Sequence, residues 1–143
     1  MKPNRLNRFS LLCSLICYLI VCCPPTLTAQ QQPREVVRIL AVGNSFSDDG
    51  VEYLDELAKA AGIRLIVGNL YIGGCSLERH WENVSKGLPA YDYRKNCEGV
   101  QSNTPKTSLL SALQDEPWDY ITVQQVSQNS GLYDTYYPFM PSL

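Results

Sequence analysis

Three short segments of this 143-residue chain combine reactive side chains with small residues that let a substrate approach. Gly43-Asn44-Ser45-Phe46-Ser47 carries a serine, and Gly73-Gly74-Cys75-Ser76 carries paired glycines. Gln124-Gln125-Val126-Ser127-Gln128-Asn129-Ser130-Gly131 carries amides. A serine hydroxyl attacks an acyl carbonyl when a neighbouring base takes its proton. Backbone N–H groups and side-chain amides can then hold the oxyanion. Ser45 is the candidate nucleophile, and Gly43 allows a tight backbone approach beside it. The competing reading makes Ser45 a turn residue, with Ser47 or Asp48 capping the helix that follows.

Other chemistries fit less well. The segment around Ser45 is not G-x-S-x-G, the strained elbow of α/β-hydrolases, nor G-x-G-x-x-G, the dinucleotide signature. Asp48 and Asp49 would set two negative charges where a helix start would otherwise hold a phosphate. No Cys/His cluster has metal-ligand spacing, so neither a metal nor another cofactor is expected.

The elements that must position these segments alternate along the chain. Val36–Val42 is an almost continuous apolar run, the pattern of a strand buried on both faces. Val51, Leu54, Leu57 and Ala61 fall at helical spacing, which predicts a helix beginning at Asp49 and stopped by Gly62. Ile63–Val67, extending towards Tyr71, reads as a second strand. Leu77, Trp81 and Val84 mark one face of a second helix, ended by Gly87. Residues 88–104 read as irregular, with room for a small hairpin around Tyr91–Tyr93. Thr104-Pro105 resembles an N-cap with proline at the first helical position, and Leu109, Leu110 and Leu113 would face inward from that helix. Tyr120–Val123 is a third strand. This order predicts an α/β fold with a three-layer, doubly wound parallel sheet. Its three reactive segments would share the edge formed by the carboxyl ends of the strands, where such sheets bind ligands.

Composition bounds the rest. With 45% hydrophobic and 18% charged residues the chain is ordinary globular material, enough for one domain at most. Lys2, Arg5 and Arg8 precede an uncharged stretch from Phe9 to Cys23, and small residues follow up to Ala29. This is the pattern of a secretory signal peptide over residues 1–29, shorter in its apolar part than the ~20 residues of a membrane span. The expectation is a secreted or periplasmic protein, free of the membrane once the signal is cleaved. Residues 30–35 form a polar linker to a domain over 36–143. Beyond the signal, nine basic residues stand against 14 acidic ones, a net charge of −5 that gives no footprint for nucleic acid. Cys75 and Cys97 remain there, either as one disulfide or as two thiols.

The three segments also resemble a known superfamily. Gly43-Asn44-Ser45-Phe46-Ser47 is similar to the first block of SGNH (GDSL-type) hydrolases, G-D-S-x-[ST], with Asn44 in place of Asp. Asn69 to Ser76 looks like the second block, in which Gly74 best matches the oxyanion glycine. Trp118-Asp119-Tyr120-Ile121-Thr122-Val123 is similar to the strand entering the third block, G-x-N-D, which itself is missing. Gln125 and Gln128 are the amides that would replace its Asn, with Asn129 a third choice. The chain resembles an exported bacterial branch of that superfamily, cut short at its C-terminus. The resemblance implies a flavodoxin-like SGNH fold, here incomplete, and a serine esterase. Its substrate would be a small-molecule or glycan ester, with Ser45 as nucleophile and Gly74 in the oxyanion hole. It also implies a downstream Asp–His pair that this sequence lacks. Its one histidine is His80, read as a structural or substrate-contacting residue on the second helix, so the chain alone is expected to be inactive. The alternative is a non-catalytic carbohydrate-binding or surface-interaction module on the same scaffold.

Overall fold

A computed structural model describes residues 36–143. The expected signal peptide and linker, residues 1–35, lie outside the described residues. The described part is mixed α/β: a five-stranded sheet, four α-helices and three short 3-10 helices. In chain order these are β1 (Val36–Gly43), α1 (Ser45–Val51), α2 (Leu54–Ala60), β2 (Arg64–Tyr71), α3 (Leu77–Ser85), β3 (Tyr91–Cys97), β4 (Val100–Thr107), α4 (Leu109–Leu113) and β5 (Tyr120–Val123). The 3-10 helices, at Ser127–Asn129, Tyr133–Tyr136 and Met140–Ser142, follow β5.

The sheet order is β4-β3-β2-β1-β5. β1 lies between β2 and β5 and is parallel to both. β3 and β4 continue the sheet antiparallel. The all-parallel expectation is corrected here: the segment read as irregular is a regular hairpin that widens the sheet beyond β2. A two-residue turn joins its strands, with positive φ at Glu98 (54°) and Gly99 (94°). That geometry matches the twist of paired strands, and a glycine accepts it readily. The Asn96 side chain supports the turn by accepting from Gly99 N at 2.7 Å. β4 is exposed along almost its whole length, so no apolar alternation betrays it. As an edge strand it also tolerates Pro105.

Side chains alternate across β1. Val37 and Ile39 pack with Ala58, Leu65, Val67, Val51 and Leu54 beneath α1 and α2. Leu40 and Val42 pack with Leu70, Tyr91, Tyr93, Leu109 and Ala112 on the other face, joined by Val84 of α3. Helices therefore cover both faces of the central strands, which explains why β1 and β2 read as unbroken apolar runs.

Three helix expectations are corrected. The helix placed at Asp49 starts four residues earlier, at Ser45, and is interrupted at Glu52 and Tyr53. Asn44 caps it, accepting from Phe46 N through its side chain, in place of Ser47 or Asp48. Thr104 and Pro105 lie within β4, and the cap of α4 is Ser108, whose hydroxyl accepts from Ser111 N at 3.1 Å. On α4, Leu109 is buried but Leu110 is 64% exposed and Leu113 36%, since Ala112 takes the second inward position. Cys75 is buried and Cys97 exposed, and both are free thiols.

Candidate functional site

The register of the parallel strands brings the three reactive segments to one edge. Gly43 pairs with Tyr71, and Val42 with Val123, so the loops after β1, β2 and β5 leave the sheet side by side. Ser45 is exposed at the first position of α1. Its neighbour Asn44 is 1% exposed and does two jobs. The Asn44 Oδ1 caps α1 through Phe46 N at 3.1 Å, and the Nδ2 donates to the Cys75 carbonyl at 3.1 Å. Ile72 N also donates to the Gly43 carbonyl at 3.1 Å. The serine loop and the glycine loop are thus cross-tied, and Gly74 stands exposed in the second with φ of 61°.

The predicted amides behave differently from one another. Gln125 is 5% exposed and fully engaged. Its Oε1 accepts from Leu77 N (3.0 Å) and Val126 N (2.9 Å), and its Nε2 donates to the Thr135 carbonyl (3.0 Å) and hydroxyl (3.2 Å). It pins the β5 loop to α3 and to the second 3-10 helix, leaving no amide hydrogen for an oxyanion. Gln128 is exposed and accepts from the Ser127 hydroxyl at 3.2 Å. Asn129 is built into the first 3-10 helix by its backbone.

The amide that lies against the serine loop is Gln124, which the sequence reading passed over. A Cβ added to Gly43 would meet Ser47 Cβ and Oγ at 2.8 Å and Gln124 Oε1 at 2.9 Å. Glycine at 43 therefore makes room for this contact. Gln124 Oε1 is buried without a hydrogen-bond partner among the described residues. The available signal was strand alternation: Gln124 and Gln125 leave β5 on opposite sides, so only one of them can face the Ser45 loop.

His80 does not join Ser45 as a base. It is 0% exposed on α3, its ring stacked on Tyr91 with centroids 5.7 Å apart. Its Nδ1 shares a 3.0 Å hydrogen bond with the Tyr91 hydroxyl. Burial, with a smaller push from Arg79, lowers its pKa to about 4, and burial likewise raises Tyr91 to about 12 and the Cys75 thiol to about 11. At neutral pH this cluster is uncharged.

A second network runs from the serine loop along the opposite flank. The Ser47 hydroxyl contacts the Asn44 carbonyl (2.8 Å) and Asn69 Oδ1 (3.0 Å). Asn69 Nδ2 donates to Asp48 Oδ1 at 2.8 Å, and Arg94 of β3 donates to Asp48 Oδ2. The Arg94 guanidinium lies 3.9 Å above the centre of the Tyr71 ring. Beside this network an open groove of about 450 Å³ lies between α1 and the β3–β4 hairpin. No group of three or more His, Cys, Asp or Glu able to hold a metal occurs among the described residues. Nor is any described helix long and apolar enough to cross a membrane.

Residues 38–143 match a family described as "Domain of unknown function (DUF4886)". The chain belongs to the DUF4886 family. It is similar to a solved structure, the crystal structure of a DUF4886 family protein from Bacteroides uniformis ATCC 8492, at 51% identity and a TM-score of 0.73. The match covers 76% of this chain and 42% of that one, so the chain spans less than half the length of its DUF4886 relative. No curated protein matches.

Proposed function

We propose that this DUF4886 domain carries the nucleophile of an exported serine esterase of the SGNH (GDSL-like) hydrolase kind. Its substrate is an acyl ester, with a carbohydrate as the alcohol. The observation that supports this reading most is the exposed Ser45 at the carboxyl end of β1, cross-tied through Asn44 to the loop that carries Gly74. Ser45 Oγ attacks the acyl carbonyl as its proton passes to a base. The base returns that proton to the alcohol, which leaves as the tetrahedral intermediate collapses, and water then hydrolyses the acyl-Ser45 ester to free the acid and the serine. The backbone N–H groups of Ser45 and Gly74 stabilise the oxyanion. Gln125 is consumed by its structural bonds and Gln124 turns its oxygen, an acceptor, to the serine loop, so Gln128, exposed on the same loop, is the side-chain amide left to donate. In this reading the base comes from outside the 143 residues, since His80 is held in the core. Proton transfer to a positioned base is worth ~10²–10⁴-fold, so the chain alone turns over little ester.

Chemical rescue tests this. A fluorophosphonate probe is incubated with the folded chain, with and without free imidazole as a substitute base. The expected result is slow labelling that imidazole accelerates and that Ser45→Ala removes. A folded chain that stays unlabelled at Ser45 even with imidazole would overturn the esterase reading. The second reading, a non-catalytic glycan-binding module, would then lead; the exposed Tyr133 and Tyr137 rings, 5.3 Å apart, favour it.

A further inference from the structure

We propose that the groove between α1 and the β3–β4 hairpin binds a neutral, hydroxyl-rich chain, the glycan part of the ester attacked by Ser45. The proposal deepens the esterase reading and rests on it for the link to Ser45. The groove begins at Asp48, three residues beyond Ser45 on the same helix and so on the same face, one turn away. Asp48, Asp49 and Glu52 form one wall, and Arg94, Asn96 and Gln101 of the hairpin form the other.

Its chemistry excludes the other candidate ligands one by one. An acyl chain needs an apolar lining, and among the residues around this groove only Val51 and Val67 are apolar. An anionic ligand would meet two carboxylates unpaired among the described residues, Asp49 and Glu52. The cations that could offset them are already spent: Arg94 is paired with Asp48, and Lys95 with Asp115 (2.7 Å) and Glu116 (2.6 Å). A bound cation would need ligands that converge, yet Asp48 is turned to Arg94 and Asn69. A neutral polyol meets none of these objections. Exposed Asp49, Glu52, Gln101 and Ser102 offer acceptors and donors for hydroxyls. The Asn69–Asp48–Arg94 network, braced by Tyr71, fixes the groove's near end before any ligand arrives. Such preorganisation reduces the ordering cost of binding.

The test measures binding of neutral tetrasaccharides (cellotetraose, xylotetraose, mannotetraose and chitotetraose) by saturation-transfer NMR and calorimetry, with tetragalacturonate as the anionic control. The Ser45→Ala chain is used, so that no ester chemistry intervenes. At least one neutral tetrasaccharide is expected to bind, and Glu52→Leu and Gln101→Leu, on separate elements, should each weaken it by about tenfold, the loss of a hydrogen bond to a charged or oriented partner. Thermal melts confirm that each variant is folded. No binding of any neutral probe, binding indifferent to both substitutions, or preference for tetragalacturonate would each overturn the groove. The two readings fail separately. Groove-dependent binding by a chain whose Ser45 resists fluorophosphonate retains the glycan site and removes the esterase. A labelled Ser45 with no glycan binding does the reverse.

Discussion

β2 and β5 both pair with β1 in parallel, yet they are held in opposite ways. β2 is buried from Leu65 to Leu70, with α1 and α2 over one face and the Tyr91–Leu109 cluster over the other. β5 has no buried residue, and Tyr120 and Ile121 are 63% and 51% exposed. Pairing supplies backbone hydrogen bonds to both strands, but burial comes only from covering layers. β5 is fixed instead by polar pins at its ends. At its start Asp119 accepts from Arg38 N at 2.8 Å, and at its end Gln125 makes its four hydrogen bonds. The amide proposed to face substrate, Gln128, follows this pinned strand, while the stability of the unit resides on the β2 side.

That contrast sets an order of effects. Leu70→Ala, at a 0%-exposed site, should cost about 2–5 kcal/mol, whereas Ile121→Ala should stay within about 0.5 kcal/mol. Urea unfolding of the two variants decides it, and equal losses would show that β5 is covered as well as β2. Protonation offers a second way to weaken the β2 side. Because His80 titrates near 4 when folded, against its ordinary 6.5, its contribution is complete above pH 6.5. It is lost as pH falls from there to about 4, where the unfolded chain takes up a proton the folded one refuses. The difference amounts to roughly 3 kcal/mol. Stability measured across this window should fall less steeply in His80→Leu, and an identical slope would place the charge change elsewhere. The smallest of the three effects concerns the pin: Gln125→Ala should cost about 1–3 kcal/mol by orphaning Leu77 N and Val126 N. Hydrogen exchange should then rise in the segment around Thr135 before it rises in β2. Uniform exchange would mean that the pin is redundant.

What the sequence made legible follows from the same physics. β1, β2 and β5 were readable because buried parallel strands and short apolar runs declare themselves, and Gly62 and Gly87 lie just past their helices with positive φ. The convergence of the Ser45 and Gly74 loops followed from strand order. The hairpin was legible only as room for one around Tyr91–Tyr93, and its outer strand was missed because that strand is exposed and carries a proline that imitates a helix start. Leu110 and Leu113 were misplaced because a helix of five residues gives too short a sample of its period. Within the site, the roles of Gln124 and Gln125 depend on partners up to 81 and 48 residues away from them. The Asp48–Asn69–Arg94 chain spans separations of 21 and 46 residues. No local pattern records such pairings.

Asn44 carries a last consequence. Its oxygen serves the helix and its nitrogen serves the Cys75 carbonyl, so position 44 requires an acceptor and a donor at once. An aspartate, which the first-block pattern of the hydrolases would place there, has the same shape but, when ionised, only acceptors. It would keep the cap and turn an oxygen towards another oxygen, and only an acid-protonated carboxyl could restore the tie. The amide thus makes the spacing of the two loops indifferent to acidity: the choice of nitrogen over oxygen at one atom separates a permanent joint from one gated by a proton.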